Sequence, residues 1–118
     1  MAKVIFSGVS KDREGWLQAR LHHIGSSNAW DIVSEDGSPV RAFLDILGLA
    51  DREADNEPMR WGRRLERTVG EEFCVRYVDD NPGAVVSLEA PDAMFVHDVY
   101  EWAQCTPDFF VTIDGKRY

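Results

Sequence analysis

Three carboxylates stand where residue type and spacing permit carboxylate chemistry. Glu66 lies in MRWGRRLERTVGEEF (residues 59–73), with Gly62 and Gly70 one helical turn to either side. Asp108 follows Thr106-Pro107 and leads into the apolar run FFVTI, and Asp98 stands beside His97. Mg²⁺ takes one or two carboxylates together with water and phosphate oxygens. Glu66 and Asp108, with Asp98 as a third acid, are therefore candidate ligands for an ion that orients water and neutralises a scissile phosphate. Taken singly, each acid also fits a plain structural role, Asp108 as a turn-former above all. The two glycines argue for more. Each costs about 1 kcal/mol against alanine in a helix interior, which implies a close approach of backbone around Glu66.

A second constellation is Arg20 with Gly25-Ser26-Ser27-Asn28. A helix N-terminus offers unpaired backbone N–H groups and a positive dipole end, and so forms a phosphate seat. Ser26 and Ser27 lie at that start, where Ser27 can add a hydroxyl and Arg20 a bidentate fork. Ordinary capping beside a surface arginine accounts for the same residues. The histidines read as structural: His22 and His23 are adjacent on one helix and cannot form an i, i+4 metal pair, and His97 is isolated. No nucleophile elbow, Walker-type glycine loop or zinc spacing is present.

The chain of 118 residues is expected to form one domain, residues 1–118, of the soluble globular class, with 44% hydrophobic and 29% charged residues. No apolar run approaches a membrane span, and the start lacks a signal-peptide pattern, so the expected location is cytoplasmic. Two cysteines, Cys74 and Cys105, are too few for a disulfide framework or a four-cysteine cluster. The net charge of −8 argues against indiscriminate nucleic-acid binding. Yet Arg60, Arg63, Arg64 and Arg67 crowd around Glu66, while the stretch from Asp79 to Gly115 holds eight acids and no Lys or Arg. Such a surface suits a polyanion held beside a cation, and equally a solvated helix face.

The elements that must position these residues form an α+β pattern: N-terminal helices followed by a short, mostly antiparallel sheet. DREGWLQARLHHIG predicts a helix closing on Gly25, and SSNAWDIVS a second one capped by Ser26 or Ser27. SPVRAFLDILG predicts a third, with Ser38 as cap, Pro39 in the first turn, and Val40, Phe43, Leu44 and Leu47 on its apolar face. A long helix opens at Pro58 and runs to about Tyr77, with Trp61, Leu65, Val69, Phe73 and Tyr77 as its core stripe and Glu66 at the edge of that face. AVVSLE, MFVH, WAQC and FFVTI read as strands, and Asp114-Gly115 predicts a hairpin turn into Lys116-Arg117-Tyr118.

Three blocks in order, Trp16-x3-Arg20 with IleGlySerSerAsn at 24–28, MetArgTrpGlyArgArgLeuGlu at 59–66 and ThrProAspPhePhe at 106–110, resemble the YqaJ-type viral recombinase, or phage lambda exonuclease, family. The resemblance covers about residues 13 to 118. It implies a restriction-endonuclease-like core of the PD-(D/E)xK superfamily. It also implies an Mg²⁺ (or Mn²⁺) dependent 5′→3′ exonuclease acting on double-stranded DNA ends in phage recombination. A single-strand annealing protein is the implied partner, a homotrimer the implied assembly, and the host-cell cytoplasm the implied location for a phage-encoded chain. By the same resemblance Arg20 and Ser27 hold the 5′-phosphate, Glu66 and Asp108 are acidic site residues, and Asp98 is a further one.

Two departures stand out. Phe109 replaces the glycine common after the aspartate, which is expected to alter only the local turn. The family's Glu-x-Lys on the following strand is missing: Gly115-Lys116-Arg117-Tyr118 has a lysine without the glutamate. The chain is therefore read as the N-terminal part of such a nuclease, incomplete at its C-terminus and inactive alone. The alternative is a non-catalytic module that binds DNA ends through the 5′-phosphate, or another interaction module. An iron–sulfur nuclease of the same superfamily is disfavoured by the cysteine count.

Overall fold

In the computed structural model, which describes residues 2–52 and 54–118, helices begin where side chains cap them. Asp12 accepts from the Gly15 N–H at 2.9 Å and starts α1 (Arg13–Ala19). Ser38 accepts from the Arg41 N–H at 3.2 Å and starts α3 (Pro39–Ile46). Asn56 accepts from the Met59 N–H at 2.9 Å and starts the 24-residue α4 (Glu57–Asp80). Between α1 and α3 lies α2 (Ser26–Val33), whose cap is Gly25 rather than either serine. The Gly25 carbonyl accepts from Asn28 and Ala29, and the Gln104 side chain fills the space a Cβ at 25 would need.

The first helix ends earlier than its sequence pattern suggests. After Ala19 the chain turns, His22 adopts a left-handed φ of 65°, and its N–H is taken by the Ile46 carbonyl at 2.8 Å. A tertiary hydrogen bond to the end of α3 thus displaces the helical continuation to Gly25. His22 and His23 consequently lie beyond the helix rather than on it.

The strands sort into two antiparallel sheets. In one, β3 (Ala93–Val96) lies between β1 (Lys3–Ser7) and β4 (Gln104–Cys105). In the other, β5 (Phe110–Ile113) lies between β2 (Val86–Glu89) and β6 (Lys116–Arg117). The β5–β6 turn has positive φ at Asp114 and Gly115, 49° and 83°, as the Asp-Gly pair predicts. β1 was not among the expected strands: its partner is some ninety residues away, so only its Val-Ile-Phe run marks it.

Chain contacts divide the molecule into two compact units. The first is Met1–Arg52 with Asp92–Thr106, and the second is Glu53–Pro91 with Pro107–Tyr118. The first contains α1–α3 and the β1–β3–β4 sheet, and its core is Met94, Val96, Ala93 and Ala42. Asp92, at a φ of 46°, accepts from both the N–H and hydroxyl of Ser10, at 2.7 and 2.9 Å, which fixes the β1–α1 connection against β3. Arg41 of α3 grips the Asp31 carboxylate of α2, with an Nε bond of 2.9 Å. The apolar face expected on α3 is not buried; Val40, Phe43, Leu44 and Leu47 are exposed.

The second unit contains α4 and the β2–β5–β6 sheet. Here the expected core stripe of α4 is largely uncovered: Trp61, Leu65 and Phe73 are about half exposed and Val69 is 64% exposed. The reason is length. Twenty-four helical residues span about 36 Å, whereas a four-residue strand spans about 13 Å, so the sheet covers only part of the helix. The covered part centres on Gly70, the buried residue of α4.

The two glycines flanking Glu66 are therefore expected to respond with opposite signs. A Cβ at Gly70 would lie 2.8 Å from Leu88 Cδ2 and 3.1 Å from Phe109 Cε2, whereas one at Gly62 meets no atom within 4 Å. Gly70→Ala should destabilise the chain by about 1–3 kcal/mol through overpacking. Gly62→Ala should stabilise it by about 0.5–1 kcal/mol through helix propensity alone. Denaturant melts of the two variants check both signs.

Candidate functional site

Glu66 and Asp108, forty-two residues apart in sequence, line one open groove of about 520 Å³ in the second unit. Its walls are apolar: Leu65, Val69 and Phe73 come from α4, and Leu88, Phe109 and Val111 come from the sheet side. Pro107 ends the preceding segment, Asp108 follows at a bend, and β5 begins at Phe110. This matches the rule that proline cannot join the ladder.

The pair is brought together through its neighbours. Gly70 is one turn beyond Glu66, and the Phe109 ring packs over it directly after Asp108. Phe109 thus does more than adjust a turn. It places the backbone of Asp108 against α4, and Gly70 supplies the clearance. The close approach expected at Gly62 does not occur, because that face of the helix is open.

The electrostatics record the proximity. Glu66 has its pKa raised above the usual carboxylate value. Partial withdrawal from water among the apolar walls is the main cause, the Asp108 carboxylate adds to it, and Arg63 opposes it. Glu66 is an exposed residue overall, so the desolvation concerns its carboxyl end over the groove and is modest. Most of the nearby arginines are already engaged. Arg63 bonds Asp55 at 2.6 Å, Arg67 bonds Glu71 at 2.8 Å, and Arg64 lies 5.6 Å from the Trp61 ring centroid. The basic cluster thus acts in part as a solvated, ion-paired helix face.

The first unit holds the other constellation. Arg20, at the end of α1, donates from Nη2 to Ser27 Oγ at 3.1 Å. Its guanidinium also stacks over Trp16, 4.8 Å from the ring centroid. Trp16 Nε1 in turn donates to Thr106 Oγ1 at 3.1 Å. Ser26 and Ser27 occupy the first turn of α2, where backbone N–H groups have no intrahelical acceptor. Arg20, Ser26 and Ser27 are therefore one cluster. It is held in place because Ile24 bridges to Ala103 and bonds Trp102 and Gln104 through its backbone, at 2.6 and 2.9 Å.

Asp98 belongs to the first unit, Glu66 and Asp108 to the second. It lies 3.5 Å from His97 Nδ1, which also accepts the Val99 and Tyr100 N–H groups at 3.1 and 3.0 Å. Among the described residues, no group of three or more His, Cys, Asp or Glu side chains is gathered in metal-binding fashion. Sequence reasoning missed the Gly70–Phe109 contact, for which the departure at Phe109 was the available signal. It also missed the bond from Asn28 to Asp45, for which no local signal exists.

A raised folded-state pKa means that the folded chain binds the Glu66 proton more tightly than the unfolded chain does. Stability therefore falls as pH rises from the ordinary value of 4.5 through the folded pKa. Glu66→Gln should leave the metal-free chain equal or higher in Tm at pH 7, with the difference gone below about pH 4. Thermal melts across pH check this.

One comparison with known proteins is positive. A search of curated proteins and a search of solved structures each found no match. The family model described as YqaJ-like viral recombinase domain matches residues 15–117, a span that takes in Trp16, Arg20, Ser27, Glu66 and Asp108. With nearly the whole length matched, the chain belongs to the YqaJ-like viral recombinase family, a family of nucleases linked to phage recombination.

Proposed function

We propose that the chain provides the end-binding and metal-binding parts of an Mg²⁺-dependent exonuclease that degrades one strand of double-stranded DNA from its 5′ end. The observation that carries this reading is the meeting of Glu66 and Asp108 at one groove. Two carboxylates suit Mg²⁺ or Mn²⁺, whose remaining positions are filled by water and phosphate oxygens. The fit is supported by the charge strain on Glu66, which Asp108 increases and a divalent cation relieves. Glu66 and Asp108 would hold the ion. Asp98 is a further acidic site residue on the family resemblance alone. When bound, the ion lowers the pKa of water and neutralises phosphate charge.

The chain's other residues receive the DNA end. Arg20 offers its fork to the 5′-phosphate, and the Ser27 hydroxyl with the Ser26 and Ser27 N–H groups adds donors at the positive end of α2. Trp16 keeps the guanidinium flat and oriented. A single-strand annealing protein and a homotrimeric assembly remain the partners that the resemblance implies.

A DNA-end-binding module without chemistry is the second reading. One observation favours it: Arg20, Trp16, Ser26 and Ser27 all belong to the first unit, so the seat takes no residue from the unit that carries Glu66 and Asp108.

Two measurements test these readings. In calorimetric titration with Mn²⁺, the chain should bind saturably, and Asp108→Asn or Glu66→Gln should weaken binding roughly tenfold or more. Unchanged affinity in both variants removes the metal site. With Mg²⁺ and a 5′-phosphorylated duplex, cleavage supports the enzyme. Phosphate-dependent binding without cleavage supports the module.

A further inference from the structure

Asn28 is a polar side chain with 5% of its surface exposed, in the first turn of α2. Both ends of its amide are used. Oδ1 accepts the Gly25 N–H at 3.2 Å, and Nδ2 donates to Asp45 Oδ2 on α3 at 2.6 Å. The first bond ties the residue before Ser26 and Ser27 to the helix they open. The second fastens that turn to a neighbouring helix by a charge-assisted bond of the stronger kind. Burial of an amide is unfavourable unless both halves are paired, so this geometry holds only while residue 45 offers an acceptor to Asn28.

We infer that Asn28, held by Asp45, is a positioning residue for the phosphate seat: it fixes the Gly25–Ser26–Ser27 turn so that Ser27 Oγ and the free N–H groups meet the anion beside Arg20. It touches no substrate. It also removes the Gly25 N–H from the donors available to a phosphate, leaving those of Ser26 and Ser27. This role rests on the proposed end-binding function.

The pairing has a distinctive chemical consequence. Asn28→Asp keeps the shape but sets two carboxylates at hydrogen-bond distance, which cannot both ionise without repulsion. With one proton shared between them, the acid pair reproduces the amide's bonds: an O–H donates to Asp45 and a carbonyl oxygen accepts from Gly25. Loss of that proton breaks the tether. Other charged groups facing this point are Arg20, His23 and Arg52, which line the same small cavity as Asn28 and Asp45, and Glu14, which bonds Arg52 at 3.0 Å. They are common to the unaltered chain, which serves as the reference at every pH.

The experiment measures binding of a fluorescent duplex with 5′-phosphate or 5′-hydroxyl ends by anisotropy, using the full chain, with circular dichroism as the check on folding. The unaltered chain should prefer the phosphorylated end. Asn28→Ala and Asp45→Ala should cut that preference roughly tenfold while leaving hydroxyl-end affinity unchanged. Asp45→Asn, which still accepts from Asn28, should retain the preference. Asn28→Asp should show it near pH 5 and lose it by pH 8, relative to the unaltered chain. A preference equal to the unaltered chain's in Asn28→Ala, or a flat pH profile in Asn28→Asp, overturns the positioning role and leaves the seat standing. No preference in the unaltered chain overturns the seat and this role together.

Discussion

The packing of α4 on the β2–β5 strand pair at Gly70 is the contact on which the carboxylate pair depends. Leu88 and Phe109 close over a helix residue that has no side chain, at distances a Cβ would not tolerate. Phe109 is joined to Asp108, and Gly70 follows Glu66 by one helical turn. Any shift of that contact moves one acid relative to the other. The propensity cost of a glycine in a long helix, about 1 kcal/mol, is offset by the van der Waals contact it allows. Because the strands are much shorter than the helix, the same contact leaves an apolar groove open beside it. That groove is what withdraws the end of Glu66 from water.

The first unit is organised by a different kind of interaction. Its hydrophobic core is small, and polar side chains do much of the fixing. Asp92 holds Ser10, Arg41 holds Asp31, and Asn28 holds both Gly25 and Asp45. Each joins residues that are distant in sequence; Asn28 and Asp31 are buried, and there an unpaired polar group would cost about 1–3 kcal/mol. The cluster of Arg20 and Ser27 gains from this arrangement. Trp16 orients the arginine, and the backbone bonds of Ile24 to Trp102 and Gln104 anchor the turn that carries the serines. Positioning by hydrogen bonds is directional, which suits a site that must match the oxygens of an anion.

Much of this was legible in the residues. The cap Ser38, the turn at Asp114-Gly115 and the strand starting after Pro107 follow from backbone chemistry that acts within a few residues. The α+β class followed from the switch from helical to alternating periodicity. What failed were inferences that treated an apolar stripe as a buried one. The stripes of α3 and α4 are regular, yet both stay substantially exposed, because periodicity reports which side of a helix is apolar and not how much partner surface exists to cover it. The end of α1 failed for a related reason: a hydrogen bond from His22 to Ile46 outweighs the local helical preference.

The sequence by itself determined the local elements and the three motif blocks that mark the family, since capping, turn geometry and residue spacing are short-range properties. Only the tertiary structure decided which strands share a sheet, that Phe109 packs on Gly70, that Glu66 meets Asp108, and that Asn28 answers to Asp45. Apart from the short-range β3–β4 and β5–β6 pairings, those contacts join residues seventeen to some ninety positions apart. No local preference encodes the long-range ones; they arise when packing and hydrogen bonding between distant segments outweigh the entropy of bringing those segments together.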